Sequence, residues 1–264
     1  MFPPATSSKG NITGRVLSGF RRILDFVFPQ NCISCDGKIQ EAEHFLCAPC
    51  KRDIGFIRQP HCFQCGVPAD ISYVYPHEEF VCGDCRTNPF QFDQARSLGF
   101  YDTVLRKTIH HFKYRKQIGV LSEMDLLLEK YFEENPEFCQ GFSVSPIPLH
   151  FSKMKERGFD QAFLIARQVA KVLKLPLEGG LLRRVKATDP QATMTRIERA
   201  RNIKGAFEIN RPEYVPGKNI LLVDDVFTTG ATVNEAARTL KKKGADKVNV
   251  FTLGRVVVGK GTGL

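Results

Sequence analysis

Residues 220–232 read Ile220-Leu221-Leu222-Val223-Asp224-Asp225-Val226-Phe227-Thr228-Thr229-Gly230-Ala231-Thr232. Four consecutive apolar residues, Ile220 to Val223, suit a strand buried on both faces in the middle of a parallel sheet. Two carboxylates follow, and then a short turn rich in hydroxyls and glycine. The turn opens a helical pattern from Thr232 to about Lys243, with Ala236, Ala237 and Leu240 on one face. Unpaired N–H groups and the positive end of the helix dipole make such a turn an anion site. Gly230 allows close backbone approach, and the threonine hydroxyls add donors. Ionised Asp224 and Asp225 only accept hydrogen bonds, so they suit sugar hydroxyls or a magnesium ion. Open parallel sheets bind ligands at these strand ends. The turn reads as a site for a phosphorylated sugar.

The stretch resembles the phosphoribosyl-pyrophosphate (PRPP) motif of type I phosphoribosyltransferases, an apolar strand, an acidic pair and a hydroxyl-and-glycine loop. The resemblance implies that Asp224 and Asp225 are the catalytic pair and hold the ribose hydroxyls. It also implies that Val226, Phe227, Thr228, Thr229, Gly230, Ala231 and Thr232 complete the PRPP site around the 5′-phosphate. No Gly-x-x-x-x-Gly-Lys-Ser/Thr run occurs in the chain, which excludes a P-loop.

Eight of the nine cysteines form four Cys-x-x-Cys pairs: Cys32/Cys35, Cys47/Cys50, Cys62/Cys65 and Cys82/Cys85. Each pair presents two soft sulfurs from one turn, and the spacing is that of zinc ribbons. Two four-thiolate sites leave no open coordination position, so two structural Zn2+ ions are expected. Disulfides and iron–sulfur clusters are the competing readings. Regular pairs without a convincing secretion signal weigh against the first, and the absence of compact ligand runs weighs against the second. Sequential and interleaved pairing both remain open. His44, His61 and His77 read as surface or supporting residues, and Cys139 as a small buried one.

The 264 residues divide into a tail with an amphipathic helix (1–30), a double zinc ribbon (31–90) and an α/β domain (91–264). Residues 31–90 are too few for an ample core of their own. No run approaches ~18 apolar residues, so no transmembrane segment is expected. In 16–28, Val16, Leu17, Phe20, Ile23, Leu24, Val27 and Phe28 share a face suited to packing on the body or a partner, with binding to a membrane surface as the alternative. It makes a poor signal peptide, so a cytoplasmic location is expected. Residues 1–90 hold nine basic and nine acidic residues, so the net charge of +10 belongs to 91–264. Within that part, 149–204 carries thirteen basic against five acidic residues. Such a field suits nucleic acid or a highly anionic small substrate.

Elsewhere the patterning predicts strands over 94–101, 142–147, 219–223 and 247–253, and helices over 102–112, 117–132 and from Gly158 to about Val172. The last two strands with their helix form a parallel βαβ unit. By order, Ser145 to Leu149, with Pro146, Ile147 and Pro148, stands where type I phosphoribosyltransferases contact pyrophosphate. Pro146 and Pro148 lack the N–H donors for that contact. Arg157 precedes Gly158-Phe159-Asp160-Gln161. Residues 181–207, with Arg183, Arg184, Lys186, Gln191, Arg196 and Arg199, stand where the family keeps a mobile loop over the site.

The order of these segments, with His110-His111-Phe112-Lys113-Tyr114 between them, resembles the ComF/GntX family, double zinc ribbons joined to a phosphoribosyltransferase domain. The resemblance covers roughly residues 30–256 and implies a parallel sheet flanked by helices, PRPP with Mg2+, and phosphoribosyl transfer to a nitrogen acceptor. It also implies competence and DNA uptake, with single-stranded DNA and a helicase or recombination protein as partners. Asp160 stands where many relatives carry Asn. Thr228 stands where hypoxanthine-type enzymes have an acidic base, which argues against purine salvage.

Overall fold

The computed structural model describes residues 31–40, 45–69, 80–115, 118–187 and 196–257. The 16–28 stretch, His44, His77 and Gln191 lie outside the described residues.

The strand predicted from the apolar run is β5, Asn219–Phe227, at the heart of a four-stranded parallel sheet. With β1 (Gln94–Phe100), β2 (Ser143–Pro146) and β6 (Lys247–Arg255), the order is β1-β6-β5-β2. Strand β5 extends past the apolar run because its pairing with β6 persists through Asp224↔Thr252, Val226↔Gly254 and Phe227↔Arg255. The acidic pair therefore stands on regular strand rather than in a loop. Ile220 and Leu222 pack in one core, Leu221 and Val223 in the other, so both faces are covered.

Short helices α1 (Ala48–Arg52) and α2 (Gly83–Thr87) belong to the cysteine-rich part. Helix α3 (Thr103–Arg115) and α4 (Asp125–Glu133) follow β1. The single helix expected over 117–132 is instead a 3-10 turn, Ile118–Met124, leading into α4. The Phe45 ring lies against Gly119, whose added Cβ would sit 2.9 Å from it, and the Phe45 N–H donates to Glu123. Docking of the cysteine-rich part thus coincides with the tightened turn.

After β2 come α5 (Phe151–Arg157) and α6 (Gln161–Leu173), two helices where the reading expected one. Gly158 ends α5 at φ +80°, a left-handed stop that favours glycine. Residues 181–207 hold β3 (Leu182–Arg184) and α7 (Arg196–Ile203), and β3 pairs antiparallel with β4 (Phe207–Ile209). Helix α8 (Ala231–Lys242) connects β5 to β6, completing the expected βαβ unit. Its Val233, Ala236, Ala237 and Leu240 are buried on the core shared with Ile220, Leu222 and Val250.

Candidate functional site

At the C-terminal end of β5, a cavity of about 210 Å3 is lined by Asp224 through Thr228, Gly230 through Val233, and Lys113. Gly230 is the N-cap of α8 at φ +76°, and the first turn of α8 carries neither a side-chain cap nor an acidic residue. The positive helix end therefore faces this cavity without a protein anion in that turn. A Cβ on Gly230 would stand 2.6 Å from the Phe227 ring and 2.9 Å from that of Phe90, so close packing adds to the backbone reason for glycine. Thr228 is exposed. Thr229 is absent from the cavity wall, and its hydroxyl accepts from the Ala231 N–H at 3.4 Å. The Phe227 ring is buried against Phe90 and Phe92, so only its backbone is available to the cavity.

The charge arrangement contains a residue to which the sequence reading gave no role. Lys113 Nζ lies 2.6 Å from Asp225 Oδ2, with only 18% of its side chain exposed. Burial opposes the Lys113 charge, but Asp225 and then Asp224 more than offset it and raise its pKa. Asp224 is pushed up to about 7, first by burial and then by the Asp225 charge. The Asp225 N–H, donating to Asp224 Oδ1 at 2.9 Å, and Lys113 act the other way. The helical pattern around Lys113 gave no hint of this pairing, since Asp225 is remote in sequence.

Arg184 is near enough to feel the Asp224 charge, and further cations lie around it. Burial lowers the Arg184 pKa while Asp224 raises it. Burial also lowers that of Lys153 on α5, helped by the charges of Arg184, Arg157 and Lys113. Arg157 donates to Gln161 Oε1 at 2.9 Å and lies over the Tyr114 ring. Arg183 instead turns to Glu208, Lys186 is exposed, and Arg196 opens α7. Arg199 lies half-buried on the same helix.

The loop after β2 keeps its backbone donors for itself. Ile147 N–H bonds Val223 O at 2.9 Å and Leu149 N–H reaches Asp160 Oδ2 at 3.3 Å. Pro146 and Pro148 have no N–H to offer. Asp160 also caps α6 by accepting from Phe163 N–H at 3.0 Å, so an aspartate performs the capping that an asparagine would.

The cysteines resolve the pairing that spacing left open. Cys32, Cys35, Cys47 and Cys50 form one quartet, and Cys62, Cys65, Cys82 and Cys85 the other, with sulfurs within 4.8 Å in each. The separations Cys35–Cys47 of 3.7 Å and Cys65–Cys82 of 3.8 Å match the edge of a tetrahedron with Zn–S of about 2.3 Å. Backbone N–H groups of Cys47 and Cys82 donate to Cys32 and Cys62 sulfurs. These are two closed, four-thiolate zinc-ribbon sites that fit Zn2+.

The second quartet is tied directly to the cavity's strand. Arg255, at the end of β6, donates from Nη1 to Cys65 O at 2.5 Å and from Nη2 to Cys65 Sγ at 3.6 Å. The same guanidinium lies 4.3 Å from the centroid of the Phe227 ring. Gln64, inside the second knuckle, donates to Phe90 O and Phe92 O. Those rings pack on Phe227, and Gln91 N–H bonds Asn234 on α8 at 2.6 Å. Zinc ligands, aromatic packing and the β5–α8 turn form one connected unit.

Residues 23–86 match the family described as double zinc ribbon domain, and 160–258 the phosphoribosyl transferase domain. Competence protein F of Haemophilus influenzae is 30% identical over 233 residues, covering 86% of this chain and 98% of that protein. DNA utilization protein YhgH of Salmonella typhimurium is 30% identical over 232 residues, with coverage of 87% and 98%. Competence protein ComFC of Bacillus subtilis is 28% identical over 241 residues, with coverage of 84% and 93%. No helix among the described residues is long and apolar enough to cross a membrane.

Proposed function

Because this chain belongs to the ComF family of competence proteins with a double zinc ribbon and a type I phosphoribosyltransferase domain, we propose that it binds Mg2+·PRPP and transfers the phosphoribosyl group to a nitrogen nucleophile. The observation that carries this reading is the cavity in which Asp224, Asp225, Thr228 and Gly230–Thr232 meet Lys113 at the N-terminus of α8, whose N-cap Gly230 has no side chain to cap it. Asp224 and Asp225 hold the ribose hydroxyls, and the α8 turn holds the 5′-phosphate. Lys153, Arg157 and Arg184 stand on the side of the departing pyrophosphate and neutralise its charge. Mg2+ bound to the pyrophosphate supplies further charge neutralisation.

In the reaction, the C1–O bond to pyrophosphate breaks and its electron pair leaves with pyrophosphate. The nitrogen's lone pair forms the new bond to C1, and its proton passes to solvent. Orientation and preorganised charge supply the acceleration. Pro146, Ile147 and Pro148 shape the wall beside the pyrophosphate without donating to it, while Lys186, Gln191, Arg196 and Arg199 belong to the segment that covers it.

Calorimetry of the zinc-loaded protein with Mg2+·PRPP tests the reading. Saturable binding that disappears in Asp224→Asn/Asp225→Asn supports it; a folded wild-type protein that takes up no PRPP removes it. A second reading is favoured by the relatives' names: DNA handling during competence, with single-stranded DNA and a helicase or recombination protein as partners and the work done in the cytoplasm. Undiminished transformation in a strain deleted for this protein would count against that role.

A further inference from the structure

Beside the carboxylate cavity lies a larger, open-mouthed one of about 480 Å3, between the first zinc knuckle and helix α3. The knuckle contributes Ile33 and Asp36, and α3 contributes Arg106, Lys107, His110 and His111. Lys107 Nζ also donates to the carbonyl of Ser34, which fixes the knuckle against the helix. Tyr101 forms the wall nearest the carboxylates. Its ring lies against Gly254, the β6 partner of Val226, where a Cβ would stand 3.0 Å away. Its phenol is near enough to Lys113, Asp225 and Arg106 to feel their charges. One turn of α3 separates the two cavities: His110 and His111 line this one, and Lys113 lines the other.

The lining has two parts that ask for different halves of one ligand. Arg106 and Lys107 provide positive charge, and Asp36 is the acidic residue opposite them. Tyr101 and His110 provide flat faces. The His110 ring is tilted 41° against that of Tyr114 with centroids 4.6 Å apart, and the Arg157 guanidinium lies 5.8 Å from the Tyr114 centroid. His110 is exposed, so its ring is accessible from the cavity. A lone inorganic anion would have no use for the aromatic faces, and an apolar ligand none for the cations. A phosphate monoester joined to a planar base satisfies both.

We propose that this cavity is a nucleotide subsite, with the phosphate on Arg106 and Lys107 and the base against Tyr101 and His110. It deepens the transferase reading by assigning the acceptor class: a base nitrogen presented toward C1 of PRPP across Tyr101. It also gives the first zinc ribbon a place in substrate recognition. The ligand is either a free nucleotide or the 5′-phosphorylated end of a strand, since both present the same chemistry.

The test is calorimetric titration of the full zinc-loaded chain with 5′-AMP, adenosine and a 5′-phosphorylated hexanucleotide, in the absence of PRPP. The expected result is one saturable site for 5′-AMP, at least tenfold weaker binding of adenosine, and at least tenfold weakening by Arg106→Glu. Asp224→Asn/Asp225→Asn should leave 5′-AMP binding intact, which separates this site from the PRPP reading. Asp36→Asn, which keeps a residue tolerant of the left-handed backbone there (φ 59°), should tighten binding severalfold. If Arg106→Glu does not fold, Asp36→Asn decides: tighter binding supports the subsite and unchanged binding overturns it. Absence of saturable 5′-AMP binding, indifference to Arg106→Glu, or loss in the carboxylate variant overturns it as well. Equal affinity for the hexanucleotide identifies a strand end as the source, and its exclusion identifies free nucleotides.

Discussion

The two zinc ribbons each present four thiolates on the same kind of knuckle, yet they are joined to the body in different ways. In the first, Asp36 follows the knuckle at φ 59°; in the second, Gly66 does so at φ 73°. Both N–H groups bond back to the first cysteine of their pair at 2.9 Å. Asp36 is exposed and borders an open cavity, so a side chain fits. A Cβ on Gly66 would stand 2.3 Å from the Ala95 carbonyl oxygen of β1, so none fits. The first ribbon is joined to the α/β part by apolar burial: Cys32, Leu46, Cys47, Cys50 and Ile54 share a core with Leu98, Leu105, Phe112 and Met124. The second forms a small cluster of its own and is joined chiefly by directional bonds through Arg255 and Gln64. Apolar burial tolerates small shifts, whereas hydrogen bonds lose strength quickly with misalignment. The second ribbon is therefore the one placed to set the geometry of the β5–α8 loop.

The largest expected effect tests the backbone contrast. Gly66→Ala should cost several kcal/mol or prevent folding, because neither the Ala95 backbone nor the left-handed turn yields easily. Asp36→Ala should cost no more than about 1 kcal/mol, mainly the left-handed penalty. Denaturant midpoints of the two variants, side by side, measure this, and equal losses would break the contrast.

The next effect lies at the carboxylates of β5, the strand whose Phe227 packs on the Arg255 bridge to the second ribbon. With Asp224 raised to about 7 from an ordinary carboxylate value, the native state holds a proton that the unfolded state has released. Stability should therefore fall as pH rises from about 4 to about 7, by an amount on the order of a few kcal/mol, and level off above. Asp224→Asn should flatten that part of the profile, raising the melting temperature most at pH 8. Thermal melts between pH 4 and 8 provide the check; parallel profiles for both proteins would place the slope elsewhere.

Arg255→Met probes the bridge itself. It should retain two zinc ions per chain while binding Mg2+·PRPP at least tenfold more weakly and exchanging amide hydrogens faster over 227–233. Metal analysis, calorimetry and hydrogen exchange report these separately. Unaltered exchange in that loop would show that the ribbon does not brace it, whatever the status of PRPP. The smallest effect belongs to the first ribbon's polar contact. Glu123, a nearly buried carboxylate 2.6 Å from Lys51, also accepts from Phe45 N–H, and Glu123→Gln, which keeps an acceptor there, should cost about 1–2 kcal/mol by chemical denaturation without altering ligand binding.

Much of this arrangement was legible along the chain. The apolar run, acidic pair and Thr-Thr-Gly turn carried the strand, its ligand end and the following helix, because each rests on neighbours within a few residues. The Cys-x-x-Cys pairs announced two metal sites for the same reason. The longer β5 was missed because ladder pairing with Thr252 and Gly254, not local apolarity, carries it forward. Helix α5, ahead of the helix expected from Gly158, was not foreseen, and the 3-10 turn before α4 coincides with a contact from Phe45. In the 145–149 loop the prolines correctly signalled missing donors. The commitment of the two remaining N–H groups to Val223 and Asp160 emerged only in three dimensions.

Sequence alone pointed to four Cys-x-x-Cys pairs suited to metal and to an acidic strand end meeting a helix turn, since short-range spacing places those groups together in any fold that keeps the elements. Tertiary structure decided which cysteines share a site, that Lys113 neutralises Asp225, and that Arg255 reaches Cys65 across 190 residues. The physical reason is that charge pairing and metal geometry depend on distances of a few ångströms. Between remote residues, only the packing of helices and ribbons on the sheet sets those distances.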